Sequence, residues 1–185
     1  VTLLFSILCV SASAAAAFDI SIGTVSGAAG DTVEVPVTVN ANAGIWGFQF
    51  TVAFNSDALE IVSFTPDASW NGFGFLPIEN NPNPATVQAT ANGFSNFTGT
   101  GVMGKLTFKI KDTAAEGDYD VQAAWRPNDC IDADSNEVET NVANGKITVK
   151  AETKTTQDPV ANPNFNIVIG SATATAGSIS IALET

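Results

Sequence analysis

The sequence predicts an all-β sandwich, and three observations carry that prediction. Short runs that alternate large apolar residues with small or polar ones recur along most of the chain; period-two patterning is the mark of a strand with one face in a core. Clusters of Gly, Asn, Asp and Pro separate these runs at close spacing, as turns do in sandwiches and barrels. No stretch sustains the 3.6-residue period of an amphipathic helix. The number of runs corresponds to about nine strands.

The first 17 residues, VTLLFSILCVSASAAAA, are apolar and then small. They have the character of the apolar region and cleavage site of an export signal, with Ala12-Ser13-Ala14 and Ala15-Ala16-Ala17 as cleavage options. The apolar run is too short to span a bilayer. Residues 1–17 are therefore set aside from the fold, and the protein is expected to be secreted or at the cell surface.

FDISIGTV follows from Phe18 and ends in a Gly-rich break. DTVEVPVTV is next, with Val33, Val35, Val37 and Val39 on one face. Pro36 lacks a ladder donor, which predicts an edge or bulged strand. ANAG turns into WGFQFTVAFN, where Phe48, Phe50, Val52 and Phe54 point to the core and Gly47, Gln49, Thr51 and Ala53 point away. NSD turns into ALEIVSF. Residues 66–85 are irregular and rich in Asn, Pro and Gly, with Trp70, Phe73 and Phe75 among them. TVQATA, VMGKLTFKIK, DYDVQAAW and GKITVK complete the series; Leu106, Phe108 and Ile110 share one face of the second, and Val121 and Ala123 one face of the third.

Composition bounds function. Of 185 residues, 45% are hydrophobic and 14% charged, a globular balance. With 7 basic against 19 acidic residues the net charge is −12, which leaves no basic patch for nucleic acid and disfavours anionic membranes. Histidine is absent, and with it the commonest general base and metal ligand. Cys9 lies in the leader, so Cys130 is the one thiol of the remainder and is expected to be buried and inert.

Residues 151–164, AETKTTQDPVANPN, lack apolar alternation and read as a solvated linker. Beyond it FNIVIG (165–170) echoes FDISIG (18–23), Ala176-Gly177 echoes Ala29-Gly30, and I-S-I at 179–181 matches V-E-V at 33–35 after a one-residue deletion. Residues 165–185 are thus expected to be the truncated start of a second module, in a tandem array of monomeric units. The other reading of the echo is an extra strand pair on the first domain.

FDISIGTVSGAAGDTVEVPVTV, GIWGFQFTVAFNSDALEIVSF, GTGVMGKLTFKIK and CIDADSNEVETNVANGKITV follow one another in the order and spacing of a cohesin module. The chain resembles that family over about residues 18–150, most specifically from Gly44 to Phe64. The second copy after a linker is similar to the layout of a cellulosomal scaffoldin, which strings cohesins together. The resemblance implies a nine-stranded jelly-roll sandwich whose partner is a dockerin, a small helical module of secreted polysaccharide-degrading enzymes. It implies that calcium belongs to the dockerin, that this chain carries no cofactor, and that it is not an enzyme.

The resemblance also places the binding surface on the outward face of the WGFQFTVAFN strand and its neighbours. The protein-binding residues it nominates are Gly47, Gln49, Thr51 and Ala53, with Gln88, Thr90 and Asn92 on the adjacent TVQATANG segment. Such a small, uncharged face is cheap to desolvate under a partner helix. Many cohesins carry Asn and Asp at the positions matching Gly47 and Gln49, so the specificity here is expected to differ.

The sequence offers three other chemistries. Asp132-x-Asp134-x-Asn136 has calcium-loop spacing, but Glu137 stands where glycine is needed and Ala143 where the closing glutamate is needed. A solvated acidic turn fits better. Asp118 and Asp120 could share a face, yet nothing distinguishes an acid from a nucleophile. A carbohydrate-binding module would stack sugars on Trp46, Trp70, Phe73, Phe75 or Trp125. It is the main competitor, ahead of a structural cell-surface repeat.

Overall fold

The computed structural model describes residues 17–78 and 82–151. The expected leader, linker and second module lie outside the described residues, apart from Ala17 and Ala151.

Twelve strands are found among the described residues: β1 (Ala17–Ile22), β2 (Thr24–Ala28), β3 (Thr32–Asn42), β4 (Gly47–Ala53), β5 (Leu59–Pro66), β6 (Phe73–Phe75), β7 (Ala85–Ala91), β8 (Gly101–Ile110), β9 (Gly117–Ala124), β10 (Cys130–Ile131), β11 (Glu139–Ala143) and β12 (Gly145–Lys150). A single 3₁₀ turn, Ala68–Trp70, is the helical element there. The sheet of five strands has the order β11-β1-β3-β8-β5. The sheet of seven has the order β2-β12-β9-β4-β7-β6, with β10 paired to β4 beside β9. Pairing is antiparallel except β1 with β11 and β12 with β2.

The count exceeds nine for identifiable reasons. β6, β10 and β11 are too short or too polar to show alternation. The FDISIGTV run is divided between the sheets: β1 lies in one and β2 in the other, with Gly23 at the crossing. A Cβ on Gly23 would sit 2.6 Å from the Pro36 ring. A Cβ on Gly145 would sit 2.0 Å from the Gly23 carbonyl oxygen. Only residues without a Cβ permit this approach.

Pro36 is not on an edge strand. β3 lies between β1 and β8, the best-connected position in its sheet. The proline is tolerated because of where it falls. Its carbonyl accepts from Gly23 N at 2.8 Å. In a strand a residue's N–H and C=O face the same neighbour, so the missing donor faces the point where β1 ends. A register shift between Val37 and Thr38 lies directly after it, so the bulge expected there is present.

The inward faces interdigitate as the alternation predicts. Phe48, Phe50 and Val52 of β4 pack with Val35, Val37 and Val39 of β3, with Leu106, Phe108 and Ile110 of β8, and with Val121 and Ala123 of β9 in one buried cluster. Aromatic rings join it edge to face: Phe54 on Phe108 at 5.2 Å, Phe18 on Trp125 at 5.8 Å and Phe48 on Trp70 at 6.5 Å. This core is what holds β4 rigid from beneath.

Candidate functional site

The nominated residues do come together on the outside of the seven-stranded sheet. β4 and β7 pair antiparallel with Gly47 opposite Thr90, Gln49 opposite Gln88 and Thr51 opposite Thr86. On the other side of β4, Thr51 lies opposite Ala124 and Ala53 opposite Gln122. Period-two alternation then puts Gly47, Gln49, Thr51, Ala53, Thr86, Gln88, Thr90, Gln122 and Ala124 on one face. None carries a charge. Asn92 is exposed but lies past the end of β7; its N–H and amide bond the backbone oxygens of Gly72 and Asn71. It belongs to the rim of the face.

The face is dished, not flat. Gly47 is buried, Gln49 and Thr51 are half-buried and Ala53 is open. A shallow depression of about 240 Å³ is lined by Trp46, Gly47, Gln49, Gln88, Thr90 and Ile131, among others. Its wall on one side is β10 and the turn before it. These run alongside β4 in the plane of the sheet, so among the described residues neither covers the nominated side chains.

That turn is Arg126-Pro127-Asn128-Asp129. Asp129 N donates to Arg126 O at 3.1 Å, Pro127 occupies the second position, and Asn128 has φ of 65° at the third. This is the residue order a type II turn requires. The turn delivers Asp129 to the edge of β4. Gln49 N donates to Asp129 O at 2.7 Å, and Gln49 Nε2 donates to Asp129 Oδ1 at 2.6 Å. Asp129 Oδ2 accepts from Arg126 N at 2.7 Å. Asp129 is only 7% exposed.

A family model for the cohesin domain matches residues 18–149. The chain belongs to the cohesin family. This cohesin is 28% identical over 151 residues to cellulosomal-scaffolding protein A of Acetivibrio thermocellus, a match covering 70% of this chain and 8% of that protein. It also matches the sixth cohesin of Acetivibrio cellulolyticus scaffoldin B, solved in complex with a Cel5 dockerin. That likeness has 26% identity and a TM-score of 0.60, over 72% of this chain and 99% of that one. The cohesin CaCohA2 of Clostridium acetobutylicum, solved in complex with CaDoc0917, shares 26% identity and a TM-score of 0.57 over 71% of this chain and 99% of that one.

Sequence reasoning missed three members of this cohesin's outer face and the one buried carboxylate among the described residues. Thr86, Gln122 and Ala124 have outward parity that the alternation of their own strands could have revealed. What it could not reveal is that β9 lies beside β4. Asp129 carried a turn signal, R-P-N-D, but no sign of its contact with a residue 80 positions earlier.

The rings weighed as a sugar platform are mostly core. Trp70 and Phe73 are buried, with their rings tilted or edge-on to Phe97 at 4.7 and 5.2 Å. Phe75 packs on Phe64 and Phe48, and Trp125 on Phe18 and Phe50. Trp46 alone of the five lies on the outer surface, half-buried, its Nε1 donating to Gly93 O at 2.6 Å.

The Asp132 loop folds back on itself. Asp132 Oδ1 accepts from the N–H groups of Asp134 and Asn136, and Oδ2 accepts from the Asn136 amide at 3.0 Å. The Asn136 side chain, then its N–H, hold this carboxyl below the ordinary range. Among the described residues no group of three or more acidic, Cys or His side chains could hold a metal ion. Cys130 is buried, and desolvation, with the Asp129 charge adding to it, pushes its thiol up to about 12. It is unreactive as a nucleophile at neutral pH. Asp118 is bound by Lys146 and by Thr148 Oγ1 at 2.6 Å, with Asp120 on the same exposed face. Lys146, then Thr148, lower its carboxyl, the opposite of what a general acid needs.

Proposed function

We propose that this chain is a non-catalytic scaffold module that binds a dockerin on the outward face of β4 and its neighbours. It would thereby gather dockerin-bearing polysaccharide-degrading enzymes, or other scaffold proteins, into a cellulosome-type complex outside the cell. The jelly-roll connectivity, the export signal, the tandem array, and calcium carried by the partner rather than by this chain all belong to this reading.

One observation carries it. In a chain of net charge −12, the outward side chains of β4 and β7 include no charge, and Gly47, Gln49, Gln88 and Thr90 among them line a depression. A face of this kind sheds water at low cost and accepts a helix. Belonging to the cohesin family, together with the dockerin complex of the A. cellulolyticus relative, supports dockerin as that helix-bearing partner.

The test is a titration of the purified module with dockerins, in calcium and in chelator, and separately with insoluble cellulose. Calcium-dependent dockerin binding is expected. Retention on cellulose with no dockerin binding would replace this reading with the carbohydrate-binding one.

A further inference from the structure

Resting on the docking reading above, we infer that Asp129 is a positioning residue for partner selection. It fixes the Gln49 amide with its oxygen toward the partner, so the module selects a dockerin that brings a hydrogen-bond donor, favourably a lysine ammonium, to this point.

Asp129 is the one buried polar or charged residue among the described residues. It is held rigidly, by a main-chain bond to Gln49 and by its own turn through Arg126 N. An ionised carboxylate only accepts, whereas a glutamine amide can present either end. With Asp129 Oδ1 at 2.6 Å, the Gln49 nitrogen must face it. Oε1 is then left on the other side of the amide, and Gln49 borders both the depression described above and a smaller one that it shares with Thr51, Thr86 and Arg126. Among the described residues no donor meets Oε1. The Asp129 charge lies just behind this oxygen and favours a positive group in front of it.

Asp129→Asn is the sharpest test because it is nearly isosteric. Its oxygen can still accept from Arg126 N, which keeps the turn, and its NH₂ then faces Gln49. The Gln49 amide must reverse and offer its nitrogen to the partner. The dockerins of the two complexes named above are titrated calorimetrically against the wild-type module. A binder is carried forward both unaltered and with each Lys, Ser and Thr of its contacting helices replaced by alanine. The expected result is that Asp129→Asn weakens the unaltered dockerin about tenfold and leaves one alanine form unaffected. Equal weakening of every form would reduce Asp129 to a structural role and overturn the inference. So would no weakening at all.

A partner-free readout separates the two proposals. In ¹⁵N spectra the Gln49 side-chain NH₂ should be protected from solvent exchange in the wild type and unprotected in Asp129→Asn. An unprotected wild-type amide overturns the inference even if dockerin binds. If neither dockerin binds while the amide is protected, the docking reading fails and partner selection fails with it, although the Gln49–Asp129 geometry stands.

Discussion

The two outer faces of this sandwich are built on the same core and are chemically opposite. On the five-stranded sheet, β3, β8 and β5 present Glu34, Lys105, Lys109 and Glu60, with Glu60 directly opposite Lys109 and a Glu34–Lys105 pair at 2.6 Å. On the seven-stranded sheet, β4 and β7 present Gly, Ala, Thr and Gln alone. On the far half of β9 and on β12 beyond it, the charges return as Asp118, Asp120 and Lys146. The neutral zone is therefore local. Taking an ion out of water costs several kcal/mol even in relaxed protein, so charged pairs keep one face wet while their absence lets the other be covered.

Breaking what both faces share should have the largest effect. Phe50→Ala removes a fully buried ring beneath Gln49 and beside Trp125. It should cost about 3–5 kcal/mol in denaturant unfolding and disable both faces together. Next comes Gln49→Arg, which places a long cation in the depression. Dockerin affinity by calorimetry should fall about a hundredfold, with a thermal midpoint close to wild type. Ala53→Asp, at the open end of β4, should weaken binding about tenfold.

On the other face Glu34→Gln with Lys105→Gln should leave affinity unchanged and move the midpoint by no more than about 2 °C, as expected for an exposed pair. If that double variant weakened docking as Gln49→Arg does, the contrast between the faces would carry no functional meaning. The smallest effect belongs to Asp118. Lys146 lowers its folded pKa below that of the unfolded chain. Its contribution is thus present above the ordinary carboxylate range and lost as pH falls through the folded value. Acid unfolding curves of wild type and Asp118→Asn should differ slightly at neutral pH and converge once the pH has fallen below the folded value.

Much of the fold was legible because burial on one face writes itself into alternate residues. The inward sets of β3, β4, β8 and β9 are found where their periodicity placed them. β10 and β11 were not legible, since two residues, or a polar run such as ETNVA, carry no period. Pro36 signalled the bulge that follows it but could not exclude an edge, for a related reason. A missing donor reports on one side of a strand, and the sequence does not show that this side faces the end of β1. At the candidate site, Gly47, Gln49, Thr51 and Ala53 followed from their own strand, and Gln88 and Thr90 from theirs. Asp129 followed from nothing local.

By itself, then, the sequence determined which residues turn inward, which face stays uncharged, and that the chain has the pattern of a cohesin, because these depend on side chains within one strand or on their order. Only the tertiary structure decided that β9 and β10 flank β4, that the face is dished, and that a carboxylate from a distant turn grips Gln49. Those are contacts between segments far apart in the chain, fixed by how two sheets close over a shared core, and no local period encodes them.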